Sequence, residues 1–217
     1  MQRLRTNLIL ASLMTLFAGI SAHADTIFFA TLTNSQENPP VTPTTSTGAP
    51  RPVSFGHATF ILNDAQTALS LTVTIFNIDV TGSQTADTFD NLLAAHIHAP
   101  APPGMNAGVR WGFFGAPDND NNPDNLVIAP FTNGQIGGVF SSIWNQTEGN
   151  NTTLTAQLPS ILAGLSYINF HTTQFGGGEI RGQIQPVPEP TTLILLGTGL
   201  AGAALRQRKK RKNGGVE

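Results

Sequence analysis

Three histidines are the residues of this chain whose type and spacing are best suited to chemistry. His96 and His98 alternate in the run Leu92 to His98, so a strand there places both imidazoles on one face. His171 ends the run Tyr167 to His171, in which the apolar side chains share the opposite face. We therefore expect all three imidazoles to point away from the core, and two neighbouring strands would bring them within a few ångströms.

Imidazole nitrogen is a common ligand of zinc and copper, and three such ligands leave one coordination position open. The pattern therefore predicts a copper or zinc site at His96, His98 and His171. The alternative is that these side chains lie on the surface and form hydrogen-bond ladders across a sheet. The spacing is compatible with both.

The segment that follows His171 carries an acidic and a basic side chain on one face. Three consecutive glycines, residues 176–178, permit a tight turn. Glu179 and Arg181 then share one face of a strand, about 7 Å apart along it. The spacing predicts a structural ion pair between them. Glu179 or Asp90 is also a candidate hydrogen-bond acceptor that would orient a metal-binding imidazole.

Short runs that alternate apolar and polar residues must position these side chains, and such runs are typical of β-strands. They are Thr26 to Leu32, Val53 to Leu62, Ala68 to Ile78, Leu92 to His98, Gly108 to Phe114, Gly137 to Trp144, Thr152 to Leu158, Ser166 to Thr172 and Gly178 to Gln185. Only Pro159 to Leu165 has the pattern of a helical turn, with Pro159 at its first position. The sequence predicts an all-β fold, an antiparallel β-sandwich or Greek-key barrel of about nine strands.

The N-terminus has the three parts of a secretory signal peptide. Arg3 and Arg5 precede the apolar stretch Leu8 to Ile20, and small residues follow at Ala22 and Ala24. We expect signal peptidase to cut after Ala24 and to remove residues 1–24. An uncut signal anchor is the alternative.

The C-terminus carries a second targeting signal. Pro188, Glu189 and Pro190 precede the apolar run Thr191 to Leu205, and a basic cluster follows it at residues 206–212. Fifteen residues of helix cover roughly 22 Å, against about 30 Å of hydrocarbon core, so this short apolar helix is a marginal span. We expect it to anchor the chain transiently in the inner membrane, with the basic cluster on the cytoplasmic side and the body translocated.

This order of Pro-Glu-Pro, apolar segment and basic cluster resembles the PEP-CTERM sorting signal, and we assign residues 186–212 to it and 213–217 to a tail. The resemblance implies recognition by a membrane protease of the exosortase type. It also implies a final location in the envelope, on the outer surface or in the extracellular matrix of a Gram-negative bacterium that makes exopolysaccharide.

The composition of the body, residues 25–185, limits its partners. About 160 residues suffice for one domain with its own core. Three arginines against eleven acidic side chains, without a lysine, give this body a net charge of −8. Such a surface disfavours nucleic acid, because that affinity rests on Lys and Arg contacts to phosphates. The chain has no cysteine, which excludes disulfides, thiol chemistry and cysteine metal sites.

Three ordered motifs of the body resemble the CHRD domain, which was named from repeats in the extracellular protein chordin. They are Phe29-Ala30-Thr31-Leu32 through Glu37-Asn38-Pro39-Pro40-Val41, Ala95-His96-Ile97-His98-Ala99-Pro100-Ala101, and Tyr167-Ile168-Asn169-Phe170-His171-Thr172 with Gly178-Glu179-Ile180-Arg181-Gly182-Gln183-Ile184. The resemblance implies an immunoglobulin-like or Cu/Zn superoxide dismutase-like β-fold. It also implies a shared role for His96, His98, His171 and the acid Glu179.

Two functions fit these observations. The first is a non-enzymatic surface or extracellular-matrix protein that binds exopolysaccharide or a matrix protein, since the chain carries no nucleophile motif and no zinc-protease motif. The second is a metalloprotein with a superoxide dismutase-like copper or zinc site. We expect the first, with the histidines as a structural or binding site and with no catalytic residue.

Overall fold

Nine antiparallel strands form one continuous sheet in this protein, as the computed structural model shows for residues 25–121, 126–187, 197–204 and 206–207. The chain divides into two units, residues 1–186 and 187–217. Residues 1–24, with the proposed cleavage residues Ala22 and Ala24, lie outside the described residues. So do Pro188, Glu189 and Pro190 of the sorting motif.

The strands follow the alternation of apolar and polar residues along the chain. They are β1 Thr26–Thr33, β2 Phe55–Leu62, β3 Ala68–Phe76, β4 Leu92–His98, β5 Val109–Phe114, β6 Val127–Pro130, β7 Gly137–Asn145, β8 Ser166–Thr172 and β9 Ile180–Pro186. Their order in the sheet is β5-β4-β8-β9-β1-β2-β3-β7-β6. The predicted all-β fold of about nine antiparallel strands is confirmed, and within the described residues the hydrogen-bonded ladder ends at β5 and β6.

The sheet curls so that its two ends pack over one apolar core. The rings of Trp111 on β5 and Trp144 on β7 are stacked with centroids 5.4 Å apart, although six strands separate them in the ladder. Phe170 on β8 contacts Phe113 at 5.9 Å and Phe140 at 5.5 Å between centroids. All five rings are fully buried, and this aromatic layer closes the inside of the curled sheet.

One predicted strand is wrong. Residues 152–158 were expected to be extended, but helix α1 spans Leu154–Leu162. Thr153 caps it, because its side chain accepts a hydrogen bond from the Ala156 N–H. Leu154, Leu158 and Ile161 are the buried residues, and this spacing is helical. Pro159 lies inside the helix and not at its first position.

Strand β6 was not predicted. Its four residues, Val127–Pro130, pair with β7 at the edge of the sheet. An edge strand of this length leaves little periodicity to detect, and a proline is tolerated there because one side of the strand has no partner.

The second unit contains a short C-terminal helix, as predicted, at residues 197–204 and 206–207. Nowhere in the described ranges is a helix both long enough and apolar enough to cross a membrane.

Candidate functional site

Strands β4 and β8 bring the three predicted histidines together. They are antiparallel neighbours in which His96 lies opposite Asn169 and Ala94 lies opposite His171. His171 is therefore diagonal to His96 on the same face of the sheet, and His98 is one step further along β4. The core contains the residues that alternate with them, such as Ile97, so the prediction that the imidazoles point away from the core is confirmed.

The imidazoles lie within ligand-sharing distance of one another. His96 Nδ1 is 3.1 Å from His171 Nε2. The ring centroid of His98 lies 5.8 Å from that of His96 and also 5.8 Å from that of His171. One nitrogen from each residue can be chosen so that all three lie within 4.8 Å of one another. We refer to His96, His98 and His171 as the histidine cluster.

Two backbone carbonyls determine which nitrogens carry protons. His98 Nδ1 lies 2.9 Å from the Ala107 carbonyl oxygen, and His171 Nδ1 lies 3.1 Å from that of Gly176. A carbonyl oxygen only accepts, so both Nδ1 atoms donate, and in the neutral rings Nε2 has a free lone pair. Since His171 Nε2 then accepts from His96 Nδ1, the lone pair of His96 is on Nε2. The Nε2 atoms of His96 and His98 are buried with no hydrogen-bond partner among the described residues.

The cluster is buried and not on the surface, which contradicts the alternative that these three histidines are surface residues. His96 is 4% exposed, and His98 and His171 are each 7% exposed. Burial, helped by the neighbouring imidazoles, lowers the pKa of His96 to about 3. Burial also lowers the pKa of His98 to about 4 and that of His171 below its usual range. All three rings are therefore neutral at neutral pH.

A stack of side chains continues from His98 towards β9. The Tyr167 ring lies parallel to the His98 ring, with centroids 4.7 Å apart. The guanidinium carbon of Arg181 lies 3.5 Å from the centroid of the Tyr167 ring, a cation–π contact. Arg181 is only 1% exposed and donates to Asn106 Oδ1 at 3.2 Å and to Gln183 Oε1 at 3.3 Å. A buried guanidinium is thus held by uncharged groups beside the histidine cluster.

The predicted pair of Glu179 and Arg181 is wrong, because Glu179 binds Arg51 instead. Arg51 Nη2 donates to Glu179 Oε2 at 2.5 Å, and the hydroxyls of Ser54 and Thr172 also donate to this carboxylate. We refer to Arg51, Ser54, Thr172 and Glu179 as the glutamate cluster. No hydrogen bond in the described part of the chain joins Glu179 to a histidine, so its predicted role as an acceptor behind a ligand has no support there.

A second buried carboxylate, Glu37, was missed by the site prediction. Glu37 is 7% exposed, and its Oε1 has no hydrogen-bond partner among the described residues. Burial raises the pKa of Glu37 to about 7, although Arg181 and Asn169 act in the opposite direction. Gly178 beside it has φ +129°, a conformation that favours glycine, and a Cβ there would lie 2.4 Å from Asn169 Nδ2 and 2.8 Å from Glu37 Oε1. Its place in the first CHRD-like motif was the available signal.

Comparison with known proteins identifies both parts of the chain. A family model described as the CHRD domain matches residues 28–184, and one described as the PEP-CTERM protein-sorting motif matches residues 186–209. No curated protein and no solved structure gives a significant match. The first match covers well over half of the chain and contains the histidine cluster, and the second marks an exported protein that is sorted to the cell envelope. The chain therefore belongs to the CHRD-domain family and carries a PEP-CTERM sorting motif.

Proposed function

We propose that this exported envelope protein binds one copper or zinc ion through His96, His98 and His171, and that the site serves binding or structure and not catalysis. The observation that carries the proposal is the convergence of three buried, neutral imidazoles on one point, with orphaned Nε2 atoms on His96 and His98. A buried polar atom without a partner is costly, and a ligand that fills the lone pairs removes that cost.

The spacing supports coordination. Two nitrogens bound to one zinc at 2.0–2.1 Å with a tetrahedral angle lie about 3.3 Å apart. One nitrogen from each of the three rings already lies within 4.8 Å of the others before any ion is considered. Movements of about 1.5 Å, which are within the reach of side-chain torsions, would bring the three nitrogens to this coordination spacing.

The surroundings support the same conclusion. The Ala107 and Gly176 carbonyls hold the Nδ1 protons of His98 and His171, as outer hydrogen-bond partners do in metal sites. Metal ligands must be unprotonated, and the lowered pKa values of the cluster satisfy this requirement at neutral pH. The burial of the cluster leaves little room for a substrate beside the ion, which favours a binding role.

The test is the metal content of the full chain, measured by mass spectrometry after exposure to copper or zinc and removal of loose ions. We expect one ion per chain in the natural protein and none in the His96→Ala, His98→Ala double variant. His57→Ala is the matched control, because His57 is exposed and stacks on Phe29, away from the cluster. Equal metal in the double variant, or none in the natural protein, would contradict the proposal.

A second role in binding matrix polysaccharide is favoured by the outer face of β1, β2 and β3. Phe29 is 43% and Phe55 38% exposed there. The three strands contain no Asp, Glu, Lys or Arg, although the domain as a whole is strongly acidic. Exposed rings among threonine hydroxyls suit a neutral sugar chain, which offers C–H groups to the rings and hydroxyls to the threonines.

Affinity electrophoresis in gels that contain the host exopolysaccharide tests this role. We expect the natural protein to be retarded and the Phe29→Ser, Phe55→Ser double variant to migrate freely. Leu93→Ser is the control, since Leu93 is 51% exposed on β4, outside this face. Equal retardation of both proteins would exclude this face.

The two termini complete the proposal. We infer that signal peptidase removes residues 1–24 and that an exosortase-type protease recognises Pro188, Glu189 and Pro190, with the apolar segment as a transient inner-membrane anchor. The matched sorting motif at residues 186–209 supports this processing. Mass spectrometry of the protein from its host's surface reports both ends, and a chain that begins at Met1 and ends at Glu217 would contradict it.

A further inference from the structure

The charges around the histidine cluster indicate which ion the site prefers. We propose that His96, His98 and His171 hold copper as Cu(I), in preference to Cu(II) or Zn(II). This inference rests on the metal-binding role proposed above and adds the element and the charge of the ion.

The ligands supply no negative charge. Among the described residues, the group that can share an ion consists of the three histidines and contains no carboxylate. Neutral imidazoles leave the full charge of the ion on the site, so a divalent ion would keep +2 in a region removed from water. Burial of uncompensated charge is costly, and the cost rises steeply with its magnitude.

Arg181 increases this cost. Its guanidinium lies 3.5 Å from the centroid of the Tyr167 ring, whose other side stacks on the ligand His98 at 4.7 Å. An arginine stays charged in a protein, and Arg181 is 1% exposed. A cation therefore lies one aromatic ring away from the ligand His98, where screening by water is weak, and it would repel each additional unit of metal charge.

This positive charge is only partly balanced. Among the described residues, the groups that accept hydrogen bonds from Arg181 are the uncharged amide oxygens of Asn106 and Gln183. Glu37 interacts electrostatically with Arg181, but burial raises the pKa of Glu37 to about 7, so this carboxyl group is only partly ionised at neutral pH. Within the described residues Glu179 is not available, because it is paired with Arg51.

The number of available ligands also favours Cu(I). Zinc in proteins takes four ligands, and Cu(II) favours a tetragonal set of at least four. Cu(I) is satisfied by two or three. The Nε2 atoms of His96 and His98 are inaccessible to solvent, which disfavours water as an additional ligand. Three nitrogen donors in a closed pocket therefore fit Cu(I) best.

The experiment is a competition on the full chain, incubated to equilibrium. Cu(I) is titrated without oxygen against bicinchoninate, and Zn(II) and Cu(II) are titrated against chelators of known affinity. We expect one Cu(I) per chain, bound at least a hundredfold more tightly than Zn(II). Tighter binding of Zn(II) or Cu(II) would overturn this inference and leave the metal site standing, whereas no binding of any ion would overturn the metal site itself.

The role of Arg181 has its own test. In Arg181→Gln we expect the ratio of Cu(I) to Cu(II) affinity to fall about tenfold, which lowers the potential of the bound copper by about 59 mV. Arg181→Lys keeps the charge and should keep the potential, which a merely structural role of the arginine would not predict. An unchanged potential in a folded Arg181→Gln protein would overturn the electrostatic argument. If that variant fails to fold, the competition on the natural chain still decides the preferred ion.

Discussion

The glutamate cluster and the histidine cluster are both buried polar groups outside the apolar core, but they differ in how completely their polar atoms are hydrogen-bonded. Both oxygens of Glu179 are bonded, by Arg51, Ser54 and Thr172. In the histidine cluster two Nε2 atoms have no partner among the described residues, and Glu37 nearby has an orphaned oxygen. Native proteins satisfy nearly all buried polar atoms. The comparison indicates that the first cluster holds the fold together and that the second is arranged for a ligand.

The largest expected effect concerns the glutamate cluster. Glu179→Ala leaves Arg51 as an uncompensated buried charge, since its side chain is 6% exposed, and should lower the free energy of unfolding by about 3–5 kcal/mol. Urea unfolding followed by circular dichroism measures the change. A loss below about 1 kcal/mol would show that this ion pair contributes no more than a surface pair, and would contradict the structural role of the glutamate cluster.

A substitution at Glu37 is expected to change the free energy of unfolding in the opposite direction, because it stabilises the protein. Its pKa is about 7 in the folded protein and 4.5 in the unfolded chain, so its contribution to stability is fully present below pH 4.5 and is lost as the pH rises to 7. Glu37→Gln removes this loss and should stabilise the protein by about 3 kcal/mol at pH 8 and by almost nothing at pH 4. Unfolding free energies at the two pH values are the measurement, and an equal effect at both would refute the assignment.

The bound ion should stabilise the fold by a somewhat smaller amount. At a free ion concentration of about one hundred times Kd, binding to the folded state alone adds about 2.7 kcal/mol. Differential scanning calorimetry should show a higher Tm for the natural chain and no change for His171→Ala. The control is His57→Ala, which should keep the full increase. A rise of equal size in His171→Ala would indicate binding elsewhere.

The smallest effect is a single hydrogen bond of the glutamate cluster. Thr172 donates to Glu179 Oε2 at 2.6 Å, and Thr172→Val keeps the shape of the side chain but removes this donor. Hydrogen bonds to charged groups contribute about 1.5–3 kcal/mol to stability. Because Arg51 and Ser54 still donate to Glu179, we expect the free energy of unfolding to fall by an amount near the lower figure. Chemical denaturation resolves it, and a loss equal to that of Glu179→Ala would show that the cluster fails as a unit.

The sequence was sufficient to predict that the histidines of the cluster lie together, because side chains two residues apart in a strand point to the same face of the sheet. It was not sufficient for the partner of Glu179. Arg51 is 128 positions away in a proline-rich loop, where no periodicity reports which way a side chain points. The wrong strand at residues 152–158 has a similar cause. Its three threonines, at positions 152, 153 and 155, favour a strand by propensity, whereas the cap at Thr153 and the buried Leu154, Leu158 and Ile161 belong to a helix.

The carbonyls that orient the histidine cluster belong to connecting segments, Ala107 before β5 and Gly176 before β9. Because the three histidines are at most 7% exposed, we expect exchange of a bound ion to require local opening of the chain and to follow the rate of that opening. We therefore expect the protein to retain the ion that was abundant when it folded outside the cytoplasm. The metal found after purification then records the growth medium as well as the preference of the site.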